Sequence, residues 1–400
     1  VKKIEFIFGS ALLLLILVGA LGILQMHTHP VMPIEPFESA EGIPWRLLVA
    51  LYVFFVVSTT GFCIIISLGE VFGFTKLEPI LKECMLMALV TILVGLMTIA
   101  LDLEQVMRGY FAIAGHVNTT SIMFWMIMLY VLYVIFLIVE IWFYFYDDLI
   151  KQREERGLRG LVARVLTIPK ASETKDFAKV IGFVTVFTAI IANSNLGALF
   201  GVNYIPLWHD PLLPVHFVLS AIVSGAALSV IGVYITDFAR GVKIEGERYE
   251  AIQMLRVILG FSIVVMIFFT AWKFVTKAYP NSTLLSREAA LPFINGEFAF
   301  NFWVMEVAVG LLLPLILLAA PQIGRRAEGV FAASLLTVTG IFFLRIDHVM
   351  GGLALKLITG MSFPSPVYHP FEIMATIGFF ALTILLYYVV YKLMPMEVGE

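Results

Sequence analysis

The sequence predicts an all-α, polytopic membrane protein with about ten transmembrane helices arranged as two helix bundles. Three observations carry that prediction. Of the 400 residues, 60% are hydrophobic and only 14% charged, with a mean hydropathy of +0.97; soluble chains carry about 25% charged residues. The apolar residues fall in runs of about 20, the length a helix needs to cross a hydrocarbon core. Barrel strands would instead alternate polarity over about ten residues, and these runs do not. A net charge of −3 without a basic stripe offers nothing to nucleic acid.

The spans are expected near 4–25, 46–69, 80–102, 121–146, 179–201, 212–237, 252–276, 299–320, 328–346 and 370–392. The first, within VKKIEFIFGSALLLLILVGALGILQ, begins like a signal peptide. Its apolar run is too long for one and lacks an A-x-A site, so it reads as a membrane helix. The chain reads as a single integral membrane domain over 1–400. Helices 1–4 lie within 1–150, a basic linker occupies 151–178, and helices 5–10 lie within 179–400. The linker region, with DDLIKQREERGLRGLVARVL at its start, is partly helical. It suits either docking of a cytoplasmic subunit or an amphipathic, lipid-facing segment.

Charge sets the orientation. All but seven of the 26 Lys and Arg fall at the two termini and in the connections that follow even-numbered spans. The exceptions are Arg46, Arg108, Lys273, Lys277, Arg287, Arg345 and Lys356. Positive connections stay inside, so both termini are expected to be cytoplasmic and the chain to be a multi-pass protein of the cell membrane. On that topology all seven histidines, His27, His29, His116, His209, His216, His348 and His369, lie at outer loops or outer helix ends. Histidine exchanges protons near neutral pH. Solvated loop histidines are one reading of each residue, and an outer proton-exchange or ligand site is the reading of the set.

Charges within the spans are costly and tend to pair or to face water. Asp102 ends helix 3, and Asn193 and Asn195 sit in the outer half of helix 5. Glu306 lies in helix 8, Arg345 and Asp347 close helix 9, and Glu372 opens helix 10. Arg345 is expected to pair with Asp347, Glu372 or Glu306, as a helix-locking bridge or as part of a proton relay. On the inner half, Glu140 in helix 4 is a relay candidate. Glu70 and Asp237 read as interfacial residues at helix ends. Aromatic residues around Glu140 read as an interfacial belt.

Cofactor ligands are scarce. Cys63 and Cys84 are the two cysteines and form no CxxC, whereas an iron–sulfur cluster takes about four Cys ligands. Both read as buried thiols. A b-type haem needs facing axial histidines at membrane depth, and His216 alone lies clearly inside a helix. The chain is therefore expected to hold neither haem nor iron–sulfur cluster, and its metal sites are expected to be none.

The hairpin at 193–225, NSNLGALFGVNYIPLWHDPLLPVHFVLSAIVSG, puts polar and Pro-rich sequence between two spans. Its SNLGAL and PLWHDPLLPVHFVLSA resemble the S-S-L-G-S-L and P-L-W-x-x-P-L-L-P-x-x-F-x-x-S-A of the NrfD/PsrC family, in its ten-helix HybB-like branch. ALDLEQVMR at 100–108 is similar to that family's L-D-L-G-R-P-x-R, with Glu104, Gln105 and Val106 in place of Gly-Arg-Pro. FLRIDHVMGG at 343–352 is similar to its R-x-[ND] segment after the penultimate helix, and HPFEIMATIGFFALTILLYYVVYKLMP at 369–395 resembles its P-S-x-x-E-I closing helix.

The resemblance implies a membrane anchor of a respiratory oxidoreductase that carries no redox cofactor of its own and binds menaquinone or menaquinol near the outer face. It implies electron exchange with a ferredoxin-like, four-cluster iron–sulfur subunit there. Other partners would be membrane lipid and further subunits, such as cytochrome c or catalytic reductase or hydrogenase chains. Asp102 is the residue carried over most directly, with Arg108 at the final basic position. Gln25, His27, His116 and Trp125 are the other groups expected around the ring, with His116 exchanging protons and Trp125 packing as a wall. A secondary transporter or proton-translocating module is the alternative. That class favours paired, interrupted helices in the two halves, and no clear pair stands out.

Overall fold

The computed structural model describes residues 2–28, 45–103, 117–171, 174–203, 205–279, 282–353 and 368–396. Among the described residues all regular structure is helical. Ten helices are long and apolar enough to cross a membrane. They are α1 (Lys2–Thr28), α2 (Leu47–Glu70), α3 (Leu81–Asp102), α4 (Ile122–Gln152), α6 (Thr174–Gly201), α7 (Leu213–Arg240), α8 (Gly246–Ala278), α10 (Phe300–Ala319), α11 (Ala327–Leu353) and α12 (Pro370–Leu393). Short helical segments lie between them: a 3-10 stretch at Thr75–Ile80, α5 (Leu158–Leu166) in the basic linker, α9 (Leu284–Ile294) on the other side, and a single turn at Pro321–Gly324.

Contacts between helix ends show that the chain crosses back and forth. At the end shared by the basic connections, Lys82 pairs with Asp148 at 2.9 Å, Arg248 with Glu83 at 2.9 Å and with Asp237 at 2.8 Å, and Gln152 donates to the Leu393 carbonyl at 2.8 Å. At the opposite end, Arg46 meets Glu372 at 3.0 Å, Trp208 donates to the His348 carbonyl at 2.6 Å, and Asn301 reaches Tyr368 at 2.8 Å. We call these the basic side and the far side.

The two sets of spans flanking the basic linker interlock rather than stand apart. Helix α2 is the most buried span, 94% of its apolar window being covered; it packs on α3, α6, α7 and α11. Helix α1 pairs with α12, and α4 pairs with α6. Small residues make these crossings close, as packing between membrane helices requires. A Cβ on Gly61 of α2 would lie 1.9 Å from the Ala221 carbonyl oxygen of α7. On Gly340 of α11 it would lie 2.1 Å from the Gly310 Cα of α10, and on Gly19 of α1 2.5 Å from the Gly378 Cα of α12. Nothing larger than hydrogen fits at any of the three.

The linker folds back onto its own span. Trp142 donates to the Leu166 carbonyl at 2.7 Å and Tyr146 to that of Pro169 at 3.1 Å. Leu158, Leu161 and Val165 of α5 remain exposed along one stripe, the pattern of an amphipathic helix lying against lipid.

Candidate functional site

On the far side, the ends of α1, α2, α3 and α12 bring four charged or titratable groups together. Glu372 is buried at the start of α12, where it forms half of a capping box with His369: the His369 amide donates to its Oε2 at 3.3 Å. Its Oε1 takes the Arg46 guanidinium at 3.0 Å. Asp102, the last residue of α3, lies within electrostatic reach of Glu372, His27 and Arg46. One arginine thus faces two carboxylates, with an exposed histidine beside them. The His27 ring is within hydrogen-bond distance of the Ile23 carbonyl at 2.9 Å. Gln25, half-buried on the same helix, is one turn below its end.

The remaining expected ring contacts are distributed differently. Arg108 and His116 lie outside the described residues, as does His29. Trp125 is 48% exposed, and its indole donates to the Thr119 carbonyl at 2.8 Å. That bond ties the turn before α4 to the helix.

The second far-side group sits between α7, α8, α10 and α11. The first thirteen residues of α10, Phe300–Leu312, are wound as π-helix, a geometry often found at functional sites. They carry Asn301 and Glu306, both buried. Asn301 donates to Asp347 at 3.1 Å and to the Tyr368 hydroxyl at 2.8 Å. Burial pushes the Tyr368 phenol up, which keeps its proton on the oxygen. His216, Lys273, Glu306, Asp347 and His348 line a small chamber of about 20 Å³, with Thr270 and apolar residues closing it. That is room for one water molecule. Lys277 stands above it, donating to the Pro206 carbonyl at 3.2 Å.

Arg345 adjoins this group with a pairing that the sequence did not anticipate. It makes no salt bridge among the described residues. Its guanidinium donates to the Ser220 hydroxyl and lies over the Phe217 ring at 4.7 Å. Glu372, one of its expected partners, is taken by Arg46, and Asp347 by Asn301. Glu306 acts on it electrostatically, without direct contact. The reason is local: α11 runs to Leu353 instead of stopping near 346, so residues 345–348 are helical and point to different neighbours.

The third group lies toward the basic side. Glu140 of α4 is buried, and so is much of Glu70 at the end of α2. Both face Gly182 of α6, whose absent side chain makes their room: a Cβ there would meet Glu140 Oε1 at 3.1 Å and Glu70 Oε2 at 3.4 Å. Glu70 is therefore half of a carboxyl pair, not an isolated interfacial residue. Asp237, also read as interfacial, is fully buried and pairs with Arg248. Among the described residues, Asn193, with 0% exposure, has no hydrogen-bond partner on either side-chain atom, and the Asn195 carbonyl oxygen has none.

The hairpin that carried the strongest sequence pattern has a structural job. Trp208 is completely buried, with the Trp45 and His348 rings tilted against it and Phe200 edge-on. A Cβ on Gly352 would fall 1.8 Å from its Nε1, so the hairpin is keyed into the end of α11.

Comparison with known proteins agrees with this architecture. Residues 36–358 match the family described as polysulphide reductase, NrfD. The chain belongs to that family. It is 25% identical to a selenate reductase subunit of Mesobacillus selenatarsenatis, over 88% of this chain and 85% of that protein. It is 25% identical to the Hdr-like menaquinol oxidoreductase integral membrane subunit of Archaeoglobus fulgidus, over 78% and 72%. With Protein NrfD of Escherichia coli it shares 22% identity over 78% of this chain and 96% of that one. As an NrfD-family protein with ten apolar spans, it is a multi-pass integral membrane protein. No group of three or more His, Cys, Asp or Glu among the described residues is placed to hold a metal ion.

Proposed function

We propose that this chain is the membrane-anchoring, menaquinone- or menaquinol-binding subunit of a respiratory oxidoreductase complex in the cytoplasmic membrane. Its termini and basic linker face the cytoplasm. The ring exchanges electrons with an iron–sulfur subunit docked on the far side. The observation that carries the reading is the cluster of Asp102, His27, Arg46 and Glu372 at the ends of α1, α2, α3 and α12. Family membership and the relatives, a selenate reductase subunit and an integral membrane subunit of a menaquinol oxidoreductase, support the same role.

Quinone chemistry moves two electrons and two protons, and the protons need acids and bases within reach of the ring. Asp102 is suited to that task because Arg46 is taken by Glu372 at 3.0 Å, which leaves Asp102 within electrostatic reach of the arginine but without a direct ion pair among the described residues. His27, exposed beside them, links the group to water. Electrons enter or leave through the partner, since the quinone is the substrate and this chain supplies its binding and proton exchange.

The test is Asp102→Asn in the complex isolated through a tag on this chain. Quinol-dependent electron transfer should fall by roughly 10²-fold or more, the range for losing one general acid or base. An unchanged rate would rule out Asp102 as the proton-exchanging group.

A further inference from the structure

The basic linker has a fixed fold and a defined depth. Helix α4 has 31 residues, about 46 Å at 1.5 Å per residue, longer than the ~30 Å of a hydrocarbon core. Trp142 and Tyr146, one turn apart near its end, are the residue types that gather at a membrane–water boundary. Both are tied to the linker. Trp142 donates to the Leu166 carbonyl at 2.7 Å, and the Tyr146 hydroxyl donates to the Pro169 carbonyl and accepts from the Ala171 amide, each at 3.1 Å. The linker is thereby doubled back along the end of α4 and held at headgroup level, where α5 also touches α12.

Its two faces are sorted. Gly160 and Ala163 of α5, with Thr167 just after it, are buried against the protein. A Cβ on Gly160 would lie 1.9 Å from the Glu155 carbonyl oxygen, and Arg164 donates to the Arg153 and Glu155 carbonyls at 3.1 and 3.4 Å. These contacts fix the turn before α5. On the outward face Leu158, Leu161 and Val165 are exposed at i, i+3 and i+7. Cations rim this stripe. Lys151 and Arg159 are paired, with Asp148 and Glu155. Arg153, Arg156 and Lys170 are exposed, and their side chains have no partner among the described residues. Six Lys and Arg stand against two Glu in 151–170, whereas in the connections 71–80 and 241–250 on the same side carboxylates equal or outnumber the cations. The positive surplus is concentrated where the apolar stripe is.

We propose that the linker is a binding surface for anionic phospholipid. Leu158, Leu161 and Val165 of α5 enter the leaflet on the basic side, and Arg153, Arg156 and Lys170 engage the phosphates of acidic headgroups beside α4 and α12. Retention of positive charge on one side accounts for cations in a connection, but not for an apolar stripe or for a fold that holds the two together. An amphipathic helix with a cationic rim binds an interface through both, and the charges select anionic lipid, each contributing about fivefold near such a surface. The surface lies on the side opposite the Asp102 cluster and does not rest on the quinone reading.

The test places a reporter on the stripe. Leu161→Trp in the full chain is reconstituted into phosphatidylcholine vesicles containing a minor share of either brominated phosphatidylglycerol or brominated phosphatidylcholine. Subtracting the wild-type signal isolates the reporter from the six native tryptophans. At equal quencher content the anionic lipid should quench roughly threefold more efficiently or better. That excess should vanish in 1 M salt, where charges are screened beyond about 3 Å. It should vanish also when Arg153→Gln, Arg156→Gln and Lys170→Gln are combined, with both lipids then quenching equally and the unfolding midpoint unchanged. Equal quenching by the two lipids at low salt, or an excess that survives the triple substitution, would overturn the proposal. So would a reporter that neither lipid quenches, since α5 would then face away from lipid, as a docking face for a soluble subunit does. No quinone is added, so failure of the quinone assignment leaves the result unaffected.

Discussion

Arg248 and Arg345 are both arginines inside membrane-length helices, and they are neutralised in opposite ways. Arg248 on the basic side has carboxylates at 2.9 and 2.8 Å from α3 and α7, and it donates to the Pro79 carbonyl at 3.1 Å. Arg345 on the far side, with 0% exposure, has one hydroxyl, one aromatic face and, among the described residues, no carboxylate in direct contact. The first arrangement locks three helices together. The second leaves charge and hydrogen-bonding capacity unspent in the interior, which a purely structural residue has no reason to keep. Direct pairing with carboxylates, rather than burial, separates the structural charges of this protein from those suited to chemistry.

The largest effect should come from breaking the ion-paired network. Arg248→Met leaves Glu83 and Asp237 buried without their cation, and loss of one partner of a buried pair costs about 3–5 kcal/mol. Arg345→Met removes a buried charge that has no direct ion pair, so its cost should be clearly smaller. Thermal unfolding midpoints of the two purified variants in one detergent decide this. Equal losses would dissolve the distinction between the two arginines.

How much of this was legible beforehand depended on the range of the interactions. The ten spans followed from apolar run length, a local property, and their ends moved only where polar residues continued a helix: α4 extends to Gln152 and α6 begins at Thr174. The short α9 lies in a far-side connection with no span-length apolar run and was not anticipated. Charges at helix ends were visible one by one, but their partners were not. Arg46 and Glu372 are over 300 residues apart in sequence, and nothing local says that α1 and α2 meet α12. Cys63 was read as a buried thiol, which it is; its 3.1 Å contact with Tyr133 exists only in three dimensions.

A middle-sized effect should come from the hairpin. Trp208→Phe keeps the aromatic packing with Trp45 and Phe200 but removes the hydrogen bond to the His348 carbonyl. One buried hydrogen bond is worth about 0.5–1.5 kcal/mol, so the unfolding midpoint should fall modestly, well short of the fall for Arg248→Met. A fall as large as that one would mean that the hairpin holds α11 in place against its neighbours instead of merely keying into its end.

The smallest change in stability should come from Gly182→Ala, and it sharpens the comparison most finely. In the interior of α6, alanine favours the helix over glycine by about 1 kcal/mol. Against that, its Cβ would stand 3.1 Å from Glu140 Oε1 and 3.4 Å from Glu70 Oε2, a crowding cost of similar size. The two nearly cancel, so the unfolding midpoint should barely move. The carboxyl pair, however, must give way, because the new methyl group occupies the space the two side chains share. The carboxyl stretching bands of Glu140 and Glu70, assigned through Glu140→Gln, should therefore shift although the protein is as stable as before. In the Arg248 network, where every carboxylate has a cation, no comparable change of environment without loss of stability is available. Unshifted bands in Gly182→Ala would mean that the pair has slack on the side away from α6, and that the glycine is there for helix packing alone.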